Sequence, residues 1–362
     1  MTKLHDRQTG MLPRKIAVFR ALQLGDMLCA VPALRALRAA APHAHITLIG
    51  LPWAASFVKR FGKYLDELLV FPGFPAFPEQ PAHLTAIPNF LSEAQKQHFD
   101  LAIQMHGSGT LSNPLMVLFA AERNAGYYQP GQYCPDPDRF LLWDEREHEV
   151  RRFVRLMEYL GIEPQGEHLE FPLHEADYRA LRRCDVSMPA PQSYVCIHPG
   201  ARLPSRRWLP QRFAEVADRL AASGLKVILT GSPDEAGVVR EVMQAMRMPA
   251  LDLCGKTELG SLAALISQAR LVVSNDTGIS HVAAAVATPS VVVSCGSDTT
   301  RWAPLDRQRH QVIAAPVECR PCMHVDCPVG HLCAEDIPAQ AVADLAARVL
   351  AQHPHSQTGT HP

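Results

Sequence analysis

The sequence predicts an α/β protein of two consecutive units, each a parallel sheet wound with crossover helices. Apolar, β-branched strands alternate with helix-like segments in both halves. The alternation lapses over residues 173–193, closing on SMPAPQS, and then restarts. The chain of 362 residues also exceeds what one ordinary core holds and suits two domains. The expected layout is an N-terminal domain over 1–172, a linker over 173–193 and a second domain over 194–335. A terminal amphipathic helix over 336–352 and a disordered tail over 353–362 complete it.

In the first half KIAVFR (15–20) reads as a strand and Val31–Ala41 as a helix, followed by strands HITLIG (45–50), ELLVF (67–71) and DLAIQM (100–105). Prolines crowd the stretch from 71 to 90 and exclude regular structure over most of it, so it is expected as a loop over a cleft. In the second half YVCIHPG (194–200), KVILTG (226–231), LVVSND (271–276) and SVVVSCG (290–296) read as strands. Helices are expected over 210–222, 234–246, 259–269 and 278–287.

Composition narrows the classes of function. With 47% hydrophobic and 20% charged residues, and 35 basic against 36 acidic side chains, the chain has no wholesale nucleic-acid surface. Arg14, Lys15 and Arg20 bracket only four apolar residues, which is no signal peptide, and no apolar run of spanning length occurs; the expectation is a cytoplasmic protein whose membrane contact is peripheral. The basic clusters Lys59-Arg60-Lys63 and Arg151-Arg152-Arg155 read as solvated helix faces rather than lipid contacts.

In parallel α/β sheets ligands bind beyond the carboxyl ends of strands, so polar residues just after strands carry the functional reading. Gly25-Asp26 follows the first strand, where residue type alone favours a helix cap for Asp26. HPGA (198–201) brings Gly200, open to close backbone approach, next to Arg202, Arg206 and Arg207; phosphate binding is favoured over a solvated arginine face. In SNDTGISH (274–281) Asp276 or Thr277 caps a helix opening at Gly278, whose amides and dipole form an anion site, and His281 in the first turn donates a hydrogen bond; Asx-type turn residues around one satisfied histidine would look the same. HGSGT (106–110) reads as a glycine turn or a holder of an acidic group, and DPD (136–138) as a loop rather than a metal motif. Neither a P-loop nor G-x-G-x-x-G follows the first strand, which speaks against a kinase and an ordinary NAD enzyme.

Taken together, Arg20 with Gly25-Asp26 and Pro32, HPGA with Arg206-Arg207-Trp208, GSPDE (231–235), NDTGISHVAAAVATP (275–289), CGS (295–297) and RWAPL (301–305) resemble glycosyltransferase family 9, the ADP-heptose:lipopolysaccharide heptosyltransferases. The matches run in family order over about residues 15–345. The resemblance implies a GT-B fold, two facing Rossmann-like domains with parallel sheets and an interdomain cleft. It implies inverting transfer of heptose from an ADP-sugar donor to a lipopolysaccharide core or lipid A-linked acceptor at the cytoplasmic face of the inner membrane, with no cofactor. Asp26 would be the general base and Arg206 a cation for the leaving diphosphate, at a position where the family commonly has lysine. Gly25, Gly200, Ala201, Asp276, Thr277, Gly278 and His281 would line the substrates, Glu235 would hold the ribose, and Lys256-Thr257 the base. Other readings are a transferase for another nucleotide sugar or a protein or other glycan acceptor, and a non-catalytic, metal-bearing binding subunit.

Six of the ten cysteines are scattered singly and read as core residues. The other four, Cys319, Cys322, Cys327 and Cys333, resemble a C-terminal cysteine pattern of the family; reduced or redox-sensitive thiols are favoured there over a zinc or iron site, because the spacing is not the paired C-x2-C of a strong zinc motif.

Overall fold

The computed structural model describes residues 3–5, 10–184 and 188–354. The chain divides into two units, Met1–His168 and Leu169–Pro362. Among the described residues the first holds strands β1 (Lys15–Phe19), β2 (His45–Gly50), β3 (Glu67–Val70), β4 (Leu101–Gln104), β5 (Asn124–Tyr128) and β6 (Phe140–Leu142). The second holds β7 (Tyr194–His198), β8 (Lys226–Leu229), β9 (Ala250–Asp252), β10 (Leu271–Asn275), β11 (Ser290–Val293) and β12 (His310–Ile313). The strand orders are β3-β2-β1-β4-β5-β6 and β12-β11-β10-β7-β8-β9, with every pairing parallel. Each chain half winds outward from its first strand and returns to that strand's other side. The order therefore reverses between β1 and β4 and again between β7 and β10, the places where such sheets open a crevice.

The strands are continuous apolar runs because helices cover both faces. In the second unit Val195, Ile197, Leu229, Val273, Val291 and Val293 pack with Phe213, Val216, Val342 and Val349. The first unit relies on aromatics: Phe19, Phe71, Phe77, Phe90 and Phe119 meet edge to face or tilted at 5.3–6.2 Å between centroids. Such pairs add roughly 0.5–1.5 kcal/mol each beyond their burial.

Three expectations are corrected. The first helix spans Leu24–Ala40, beginning seven residues before Val31, with Pro32 inside it; buried packing along Met27–Leu37 outweighs the lost proline amide. The linker range contains a helix, Glu175–Arg182, packed on Leu259–Ser267, with the Asp177 carboxylate accepting from the amide of His174 at 2.9 Å. The proline-rich stretch is irregular over most of its length, to His83, as expected; a short 3-10 turn and the helix Ile87–Lys96 then follow, with Pro88 in its first turn where no amide is needed. Arg152 is fully buried against Glu149 rather than part of a solvated face. The terminal helix spans Ala339–Gln352; from residue 355 the tail expected to be disordered lies outside the described residues.

Candidate functional site

In the second unit the reversal between β7 and β10 is bound together by one side chain. Asn275, the last residue of β10, is completely buried; its Oδ1 accepts from the amide of Trp208 at 2.9 Å, and its Nδ2 donates to the carbonyls of Pro199 at 2.7 Å and Gly200 at 3.2 Å. The HPGA turn and the arginine loop are thereby fixed to the strand that leads into the helix Gly278–Ala285. Asn275 was not singled out in the sequence, although a lone amide ending an apolar run was the available signal.

The helix Gly278–Ala285 opens without a side-chain cap. Thr277 is its N-cap in extended conformation, yet its hydroxyl is buried without a partner. Asp276 is held through its amide, which donates to Val293 at 3.1 Å. Neither residue is the expected side-chain cap. The amides of Gly278 and Ile279, at positions where a helix offers no acceptor, and the Thr277 hydroxyl are thus left as donors at the positive end of the helix dipole, while the Ser280 amide donates to the Thr277 carbonyl at 3.0 Å. His281 is buried in this helix, its ring 6.3 Å from that of Trp302.

Gly200 has a different reason from the one expected. A Cβ built there would lie 2.2 Å from the carboxyl group of Glu235, so the group approaching the backbone is a carboxylate of the protein itself. Glu235 Oε2 accepts from the amide of Ser232 at 2.8 Å and stands 3.6 Å from Nε2 of His198, whose Nδ1 is 3.0 Å from the Thr230 hydroxyl. Burial lowers the pKa of His198 against the opposing pull of Glu235, so it stands neutral.

The three arginines after Gly200 diverge. Arg207 Nε donates to the carbonyl of Ala201 at 2.9 Å and braces the turn, while Arg202 is exposed. Arg206 donates from Nη2 to the carbonyl of Cys322 at 3.0 Å, and its buried Nε has no partner. Lys256 is exposed and tied back to the carbonyl of Asp252 at 2.9 Å, with Thr257 beside it half-buried. The residues assigned to the donor therefore follow β10, β7, β8 and β9, four adjacent strands spanning about 14 Å at ~4.8 Å each.

The cysteine-rich segment does not gather its sulfurs. Among the described residues no group of three or more His, Cys, Asp or Glu is placed to hold a metal ion. Cys319 is exposed, Cys322 and Cys327 are half-buried, and Cys333 is buried beside Cys295. The hydrogen bond with Cys295, aided by His331 and Arg320, lowers the Cys333 thiol to about 6. The segment serves instead as a brace: Arg320 donates to the carbonyls of Ser294, Cys295 and Ala315, the Cys322 amide to Gly296, and His331 Nε2 lies 2.9 Å from the Ser205 carbonyl.

In the first unit the reversal between β1 and β4 is bound by Arg20. Its guanidinium is buried, donates to the carbonyl of Met105 and twice to the carbonyl of Asp26, at 3.0 and 2.7 Å, and pairs with buried Glu149 at 3.2 Å. Asp26 is not the N-cap, which is Gln23; it is the third residue of the helix, half-buried, with Gly25 just before it. A carboxylate there is favoured by the helix dipole and needs no cap role to account for it. The DPD stretch closes on itself, the Asp138 amide donating to Asp136 and Arg139 pairing with the same carboxylate.

Two doubly wound parallel units, one carrying an uncapped helix start and a cationic loop at its switch point, define the GT-B class of nucleotide-sugar-binding folds. The family model of glycosyltransferase family 9 (heptosyltransferase) matches residues 90–333, and the chain belongs to that family. A curated lipopolysaccharide heptosyltransferase 3 of Escherichia coli is 31% identical over 204 residues, covering 56% of this chain and 59% of that protein. A second E. coli protein of that name is covered over 52% of its length, so this chain spans little more than half of these relatives. Among solved structures, a family 9 glycosyltransferase from Veillonella parvula superposes with a TM-score of 0.75 at 21% identity, covering 94% of this chain and 97% of that one. The E. coli ADP-heptose lps heptosyltransferase II gives 0.73 at 23% identity, with 94% and 99% covered. These likenesses establish the fold.

Proposed function

We propose that the protein is an inverting glycosyltransferase that moves heptose from ADP-heptose to a lipopolysaccharide inner-core acceptor. The observation that carries this is the uncapped start of the helix Gly278–Ala285, with an unpartnered Thr277 hydroxyl, fastened through Asn275 to the loop bearing Arg206. These donors neutralise the diphosphate as its bond to the anomeric carbon breaks. Glu235 accepts from ribose hydroxyls, Lys256-Thr257 lie along the base, and Asp276 and His281 complete the donor site. Asp26 accepts the proton of the acceptor hydroxyl as its oxygen attacks the anomeric carbon, and one displacement inverts configuration. No metal enters this scheme, because amides and a guanidinium supply the charge. Among the described residues no helix is long and apolar enough to cross a membrane; the proposed location is the cytoplasm, with peripheral contact at the inner membrane where the acceptor resides.

The test is transfer itself. The purified chain, ADP-heptose and a truncated inner-core acceptor are expected to give an acceptor heavier by one heptose, with inverted anomeric configuration by NMR. Transfer from a UDP- or dTDP-sugar but not from ADP-heptose would overturn the donor assignment.

A further inference from the structure

The carboxyl edge of the first sheet holds a second buried polar pair that the scheme above does not use. His106, two residues past β4, has Nδ1 3.1 Å from the amide of Ala21, which donates to it, so its proton sits on Nε2. That Nε2 faces Glu79 Oε1 at 3.4 Å. Glu79 comes from the irregular proline-rich segment, which is anchored by Phe77 against Phe19 and Phe71; the His106 ring stacks on Phe19 at 4.9 Å and meets Phe77 edge on at 5.2 Å. The other carboxylate oxygen, Oε2, is buried and has no hydrogen-bond partner.

A structural latch would need only the contact with His106. It would not require a second buried oxygen with no partner, which is costly and is retained mainly where it has a use. A carboxylate oxygen accepts only, so its partner must bring a hydrogen. His106 already faces the carboxylate as a donor and the surroundings are aromatic, which suits a neutral hydroxyl of a polyhydroxylated ligand better than a second cation. The Glu79 side chain keeps 14% of its surface exposed, and the last torsion of a glutamate is soft, so a small turn carries Oε2 to that exposed edge. The place is right for an acceptor: Arg20 donates to the carbonyls of both Met105, the neighbour of His106, and Asp26.

We propose that Glu79, oriented by His106, is a hydroxyl-binding residue for the sugar acceptor, contacting a ring hydroxyl other than the one that attacks. This rests on the reading of the chain as a sugar transferase with Asp26 on the acceptor side. The experiment is steady-state kinetics of the full chain with ADP-heptose and an inner-core oligosaccharide, comparing wild type with Glu79→Gln. The expected result is an acceptor KM raised about 10-fold or more, the range for a hydrogen bond to a charged group, with the ADP-heptose KM unchanged. Hydrogen exchange on the wild type gives a readout that needs no variant: the oligosaccharide alone is expected to protect residues 72–83 and 105–110, and ADP alone to leave them as they were. Transfer by the wild type with an unchanged acceptor KM in Glu79→Gln, or with no protection of those segments by acceptor, overturns this proposal and leaves the transferase reading intact. Absence of any transfer by the wild type overturns both.

Discussion

The carboxyl group of Glu235 fills the space that a side chain at Gly200 would need, 2.2 Å from an ideal Cβ. The two positions are therefore one unit. Gly200→Ala must push the carboxyl away from His198 and from the Ser232 amide. If Glu235 receives the ribose, Gly200→Ala and Glu235→Ala should weaken ADP binding by similar factors, about 10-fold or more. The double variant should be no worse than either single one, because the two act on one contact. Calorimetric titration with ADP checks this, and fully additive losses would separate the two residues.

Asn275 makes a stability prediction. Asn275→Asp keeps the shape but turns two donated bonds, to Pro199 and Gly200, into a buried anion facing carbonyls. Each lost partner costs about 1–3 kcal/mol, and an unpaired buried charge adds to it. A thermal midpoint lowered by several degrees, with ADP affinity lost in the same variant, is the expected outcome of a differential scanning experiment. A variant as stable as the parent would show that the amide is not the fastening it is taken to be.

Much of this could be read in the sequence, and the omissions have physical reasons. In the second unit β7, β8, β10 and β11 and the helices that follow them were legible because each is an unbroken apolar or amphipathic run, whereas the short edge strands β9 and β12 and the helix Glu175–Arg182 were not. The start of the first helix was not, since Leu24–Ala30 carries glycine and an acid in its first turn and Pro32 two turns on, a pattern that reads as a loop until burial of Met27–Leu37 is known. β5 and β6 are short and contain a glycine or only three residues, so no periodicity announces them. The candidate site residues were singled out by motif, but the bonds that hold them were not visible there. Arg20, Asn275 and His198 act through side-chain contacts with residues as far as 129 positions away, which no local spacing encodes.

Arg206 and Asp26 should separate kinetically. If Arg206 faces the departing diphosphate as proposed, Arg206→Ala removes that cation and a loss of about 10²–10³ in kcat is expected; Arg206→Lys should restore part of it, since it keeps the charge and forfeits the fork geometry. Asp26→Asn should lower turnover by about 10²–10⁴ while ADP binds as before, because the residues proposed for the donor all lie in the second unit. Rapid-quench assays alongside ADP titrations check both. Undiminished turnover in Asp26→Asn would remove Asp26 from the chemistry.

His310 sets a pH limit on folding. It is 2% exposed, with Nδ1 2.9 Å from the Ser290 hydroxyl, and burial draws its pKa down from 6.5 to about 4. The folded protein therefore holds it neutral at pH values where the unfolded chain takes up a proton. Above pH 6.5 neither state binds that proton and stability is at its full value; as pH falls from 6.5 toward 4 the unfolded state gains the proton first and stability is lost, by up to about 3 kcal/mol over the window. His198, lowered in the same direction, adds to this slope. Thermal midpoints measured between pH 7.5 and 4.5 should fall more steeply in the wild type than in His310→Asn, which is less stable at neutral pH but has one proton fewer to take up. Parallel curves for the two proteins would mean that His310 takes up its proton over the same pH range in the folded and unfolded states, and that its burial does not control the acid limb.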